Sequence, residues 1–171
     1  VRDYQNRPID SAHVILLSKG FQPVSRTMSD AEGQYTMDVP AGTYYAMAVV
    51  NMNHYKKSRL EFWAWNIPAQ QDIRIDAQYD KMEVYALSAF RPQGAHPSYM
   101  IYFRPMSLTR IHSAQKNGKD YEMTDISPDL DTAEIKVEIN REPVDILSVQ
   151  KVQEYVANSN GEPQYMYGYL I

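Results

Sequence analysis

The chain has 171 residues with a formal net charge of −4, which allows one domain or two small ones and argues against a basic nucleic-acid-binding face or a polybasic membrane surface. Hydrophobic residues make up 44% and charged residues 22%, a globular balance that excludes disorder over the whole length. The absence of cysteine excludes disulfides, thiolate metal sites and a cysteine nucleophile, and no apolar run approaches the roughly 20 residues of a transmembrane helix.

Val1-Arg2-Asp3 reads as the tail of a first strand, and Pro8-Ile9 re-enters the sheet. Ala12, Val14 and Leu16 alternate with His13, Ile15 and Leu17, a strand with both faces partly apolar. Ser29-Asp30-Ala31-Glu32-Gly33 is a tight acidic turn that joins two antiparallel runs. Tyr35, Met37 and Val39 then fall on one strand face, with Gln34, Thr36 and Asp38 on the other. Pro40-Ala41-Gly42 ends that strand, and Thr43 to Val50 forms the next. In the aromatic run 60–66, Leu60, Phe62, Ala64 and Asn66 share one face, while Glu61, Trp63 and Trp65 share the other. Asp72 to Ala77 alternates again. No amphipathic helix of ten or more residues appears in this half, so it is all-β.

The order Val1-x-Asp3, Pro8-Ile9-x-x-Ala12-x-Val14, Asp30-x-x-Gly33-x-Tyr35 and Gly42-x-Tyr44 resembles the carboxypeptidase regulatory-like domain. The resemblance covers about residues 1–80. It implies a prealbumin-like (transthyretin-like) Greek-key β-sandwich of about seven strands. It also implies a non-catalytic module of the kind attached to exported enzymes, surface receptors and polysaccharide-handling proteins, especially in Bacteroidetes-type bacteria. A periplasmic, cell-surface or secreted location is expected on the same ground. The family's usual glycine ahead of the first valine is absent, and the pattern implies a chain trimmed at its front.

Gln78 to Lys81 is a polar break, which places a boundary between a first domain, 1–80, and a second all-β domain, 81–171. The fold expected is therefore two tandem β-sandwich units. Met82 to Phe90 and Tyr99 to Arg104 read as strands, with 107–111 extending the latter and 113–121 as a polar loop. In Glu134 to Asn140, Ile135, Val137 and Ile139 point inward and Glu134, Lys136 and Glu138 outward. Val144 to Tyr155 allows a strand or, through Val149, Val152 and Tyr155, a short helix. Residues 157–163 form a hairpin loop, and the last strand carries Tyr165, Tyr167 and Tyr169 on one face.

Trp63 and Trp65 point the same way, about 7 Å apart by strand rise. Indole suits the apolar faces of sugar rings, so the pair can stack on successive sugars, with Glu61 on the same face. The competing reading is that both rings fill a core or an interface between the two units. The stripe of Tyr165, Tyr167 and Tyr169 carries the same two readings. His13, His54, His96 and His112 stand at no metal-binding spacing, so no local metal motif is expected. Asp125, Asp129 and Asp131 either offer oxygens to Ca²⁺ or form an acidic turn. A transthyretin-like hydrolase that acts on a purine breakdown product ends in Tyr-Arg-Gly-Ser, which is absent. Intradiol dioxygenases, on a related sandwich, need a close histidine pair, also absent. There is no Gly-x-Ser-x-Gly elbow and no glycine-rich phosphate loop. The expectation is a binding or accessory module that is not an enzyme and carries no cofactor, with a polysaccharide or a surface protein as partner. The alternative is a structural module whose aromatics are buried between its domains.

Overall fold

A computed structural model describes residues 1–94, 97–119, 124–157, 161 and 163–171. The chain divides into two compact units, Val1–Val84 and Tyr85–Ile171. Both are built mainly of strands, so the all-β class stands.

The first unit holds one four-stranded antiparallel sheet of β1 (His13–Leu17), β2 (Pro23–Met28), β3 (Gly42–Val50) and β4 (Phe62–Ala69), in the order β2-β1-β3-β4. Its inner face buries Val14, Leu16, Met47, Val49 and Ile67 with Val1, Ile9, Ala12, Ala77 and Tyr79. The outer face carries Leu17, Ala46 and Ala48, packed by Ile15, Tyr45, Trp63 and Trp65. These two sets are the alternate positions of strands that are apolar on both sides.

The alternation slips once, on both partners. Tyr44 and Met47 face the core, while Tyr45 and Ala46 both belong to the outer face. Opposite them, Ala64 and Ile67 face the core and Trp65 faces out. Asn66 takes the left-handed conformation (φ 54°) and is exposed, so it does not share the face of Leu60, Phe62 and Ala64 as expected. Pairing is in phase on either side of the slip: Met47 opposes Ala64, and Tyr44 opposes Ile67.

Two acidic residues organise the loops of this unit. Asp30 closes its turn by accepting from the amides of Glu32 (3.1 Å) and Gln34 (2.7 Å), with Gly33 at φ 75°. Asp3, wholly buried, accepts from the amides of Gln5 and Arg7 and from Arg7 Nε at 2.7 Å. Burial pushes the Asp3 carboxyl up, but the Arg7 and Gln5 bonds outweigh it and hold the group below the usual carboxylate range.

Residues 34–39 and 72–77 do not form the paired strands that their alternation predicts. Tyr35, Met37 and Val39 still share one side, and with Ile75 they pack on the core. A slot separates the two segments, leaving no neighbour within reach of a ladder.

The second unit has a sheet ordered β5-β6-β10-β9, from β5 (Met82–Phe90, which starts in the first unit), β6 (Met100–Ser107), β9 (Gln150–Ala157) and β10 (Pro163–Leu170). After β6 the chain forms α1 (Leu108–Lys116), where a strand extension and a loop were expected. Leu108, Ile111 and Ala114 are its buried residues, a three-residue spacing that serves a helix face and not a strand. The segment 134–140 also departs from expectation. Only Glu138–Ile139 (β7) pairs, with Glu142–Pro143 (β8), and Ile139 is exposed where an inward position was expected. Two residues of ladder bury nothing that would hold a longer strand in place. Residues 144–149 are irregular, and Val152 and Tyr155, whose spacing from Val149 also allowed a short helix, lie instead on strand β9.

Candidate functional site

The outer face of the first sheet gathers four aromatic rings. Trp63 and Trp65, two apart on β4, stack on each other with centroids 5.3 Å apart and planes 14° from parallel. They do not lie side by side as a flat surface for successive sugar rings. Tyr45, brought to this face by the slip in β3, meets Trp65 edge-on at 5.6 Å. Phe21 comes from the β1–β2 turn and meets Tyr45 at 5.3 Å and each indole at 6.4 Å, edge-on in every case. Such pairs each contribute about 0.5–1.5 kcal/mol beyond area burial.

Phe21 reaches the cluster because its turn is tight. Ser18 N–H donates to the Gln22 carbonyl and Phe21 N–H to the Ser18 carbonyl, both at 2.9 Å. The ring stands at φ 56°, a left-handed conformation that costs a non-glycine residue about 1–2 kcal/mol. Phe21 is 42% exposed, and Tyr45, Trp63 and Trp65 are half-buried.

Glu61 stands at the edge of this cluster. Its Oε1 accepts from Trp63 Nε1 at 3.0 Å and from Tyr55 Oη at 3.4 Å. Burial raises the Glu61 carboxyl, and these bonds and Lys56 reverse only part of that rise. Glu83 is more deeply buried, and desolvation, reinforced by the charge of Glu61, pushes it to about 8.

Tyr165, Tyr167 and Tyr169 grade from exposed to buried along β10. Tyr165 is exposed and edge-on to Tyr155 at 6.0 Å. Tyr167 Oη accepts from Gln153 Nε2 at 3.3 Å. Tyr169 is core, stacked on Phe103, and its hydroxyl donates to the Pro128 carbonyl (2.7 Å) and accepts from Leu130 N–H (2.9 Å).

The acidic turn is neutralised by cations. Lys151 Nζ lies 2.5 Å from Asp125 and 2.9 Å from Asp129, and Arg110 lies 2.6 Å from Asp129. Hydrogen bonds from Lys151 and Arg110 hold Asp129 below the usual carboxylate range. Asp131 instead closes its own turn on Ala133 N–H. Among the described residues, no group of three or more His, Asp or Glu is placed to hold a metal ion. His13 lies on β1, His54 bonds Ser58 Oγ at 2.9 Å and His112 lies on α1, while His96 falls outside the described residues. No helix among the described residues is long and apolar enough to cross a membrane.

Sequence reading by strict alternation finds Trp63, Trp65 and Glu61 but misses Phe21 and Tyr45. One lies in a turn and the other lies beyond a slip in the period. Comparison with protein-family models, curated proteins and solved structures returned no match.

Proposed function

We propose that the chain is a non-catalytic binding module working outside the cytoplasm, and that its Phe21–Tyr45–Trp63–Trp65 face takes a polysaccharide. The first unit is then a Greek-key prealbumin-like sandwich of the carboxypeptidase regulatory-like kind, and the second a further sandwich. The observation that carries the reading is a partly exposed four-ring cluster with a carboxylate at its edge. Indole and phenyl surfaces desolvate the apolar faces of sugar rings, and a neighbouring carboxylate accepts from sugar hydroxyls.

A second reading is supported by the Trp63–Trp65 stack, which spends one face of each indole on the other. In that reading the cluster is an anchor for a surface protein, with aromatic residues at the centre of a protein interface. Affinity electrophoresis against a panel of soluble polysaccharides separates the two. Retardation by one glycan, lost in folded Phe21→Ala and Trp63→Ala variants, supports glycan binding. Retardation by none overturns the glycan reading.

A further inference from the structure

The two larger sheets end in β2 and β4, and in β5 and β9. An edge strand offers a row of backbone donors and acceptors to any extended chain, and folded proteins guard it with proline, distortion, shortness or projecting charge. Three of these edges carry such guards. β2 has six residues, begins at Pro23 and holds the exposed Arg26. β4 contains Pro68 and is interrupted by the left-handed Asn66. β5 is interrupted by Ala86, left-handed at φ 55°.

β9 carries none of them. Its eight residues include neither proline nor glycine, and none stands at positive φ. It pairs with β10 in unbroken register, from Gln150 opposite Leu170 to Ala157 opposite Pro163. Among the described residues, its outer side makes no backbone hydrogen bond. The two charged side chains of β9 would ordinarily repel an incoming strand, but both are turned back onto their own unit. Lys151 Nζ is held by Asp125 (2.5 Å) and Asp129 (2.9 Å). Glu154 accepts from the Tyr102 hydroxyl and lies 3.2 Å from Arg104 Nε. The result is a long, regular edge whose charges are already neutralised.

We infer that β9 is an interface for a second copy of this chain, the two β9 strands pairing antiparallel about a two-fold axis at Gln153. Opposed residues of an antiparallel ladder share a face, and a two-fold axis normal to the sheet preserves the faces, so the axis passes through a residue position. An axis at Glu154 sets two carboxylates against each other. An axis at Val152 pairs only Gln150 to Glu154 of β9. An axis at Gln153 pairs Gln150 to Val156 of each copy and opposes no like charges: Lys151 meets the other copy's Tyr155, Val152 meets its Glu154, and Gln153 meets Gln153. An edge-to-edge ladder buries little side-chain surface, so the dimer is reversible.

The test uses the whole 171-residue chain, which has no cysteine. Gln153→Cys sets two thiols opposite each other across the axis, with Cβ atoms about 4.5–5.5 Å apart, close enough to be drawn into a disulfide. Met28→Cys, at an exposed position of the β2 edge, is the control for random collision. Under mild oxidation the linked dimer is expected to form about tenfold or more faster from Gln153→Cys than from Met28→Cys. Sedimentation equilibrium of the unaltered chain, from micromolar to millimolar concentration, is expected to show a monomer–dimer equilibrium. Gln153→Lys, which sets like charges opposite each other at an exposed position, is expected to weaken it by about fivefold, with circular dichroism checking that each variant is folded. A monomer at every concentration overturns the second copy as occupant of the edge. A dimer that Gln153→Cys links no faster than the control, or that Gln153→Lys does not weaken, overturns β9 as its interface.

Discussion

Trp63 and Trp65 share one face of β4 but stack on each other at 5.3 Å, so the aromatic surface of this sheet is assembled by their neighbours. Phe21 closes it with three edge-on contacts. Because the chain has only two tryptophans, its indole fluorescence reports on this cluster alone. Replacing Phe21 with Ala is expected to shift the emission to longer wavelength and to destabilise the first unit by about 1–3 kcal/mol, because the edge-on ring contacts are lost while alanine keeps the Cβ and with it the strain of the left-handed turn. An unchanged spectrum would show that Phe21 does not cover the indoles in solution.

The two ends of the tyrosine stripe should respond differently. Tyr169→Phe removes a hydroxyl that joins two backbone groups, and a loss of about 1–3 kcal/mol is expected. Tyr165→Phe alters an exposed ring and is expected to stay within about 0.5 kcal/mol. Denaturant unfolding of both variants measures the contrast, and equal effects would overturn the bonding role of the Tyr169 hydroxyl.

Glu83 makes stability depend on pH in a definite direction. Its carboxyl is raised from 4.5 to about 8, so between these values the folded chain holds a proton that the unfolded chain has released. Stability therefore falls as pH rises from about 4.5 to 8, by an amount on the order of 3–5 kcal/mol. Glu83→Gln keeps the shape without the charge and is expected to flatten this slope. Thermal unfolding of both proteins from pH 5 to 8 checks it, and parallel curves would contradict the assignment.

Gly33 is irreplaceable for a steric reason. A Cβ there would lie 2.2 Å from the Val1 carbonyl oxygen, at a φ of 75° that side chains rarely adopt. Gly33→Ala is expected to cost about 2–4 kcal/mol, read by denaturant unfolding. A cost below 1 kcal/mol would mean that Val1 and the turn separate freely.

Strong periods were legible. The two faces of β1 and the placing of Trp63, Trp65 and Glu61 followed from alternation with period two. That Tyr35, Met37 and Val39 share one side was also readable, because it depends only on alternation along the segment. Whether that segment finds a ladder partner was not, since pairing depends on a neighbour that local sequence does not name. Leu108, Ile111 and Ala114 were misread because a polar stretch hid a helix with one narrow apolar face. Phe21 was missed because a turn residue at positive φ leaves no periodic signal, and Tyr45 because its strand drops out of phase.

That loss of phase couples the lengths of two strands. One surplus residue in β3, near Tyr45, is matched by one in β4, at Asn66, and the partners regain step beyond it. A lone deletion at Asn66 would leave the Tyr45 side one residue too long and throw Ile67 out of line with Tyr44. Removing one from each strand would restore an unbroken ladder but would take away the second outward position that Tyr45 uses. Gaps that accumulate in descendants of this sequence should therefore come here in pairs, one on each strand, while single gaps collect in the loops.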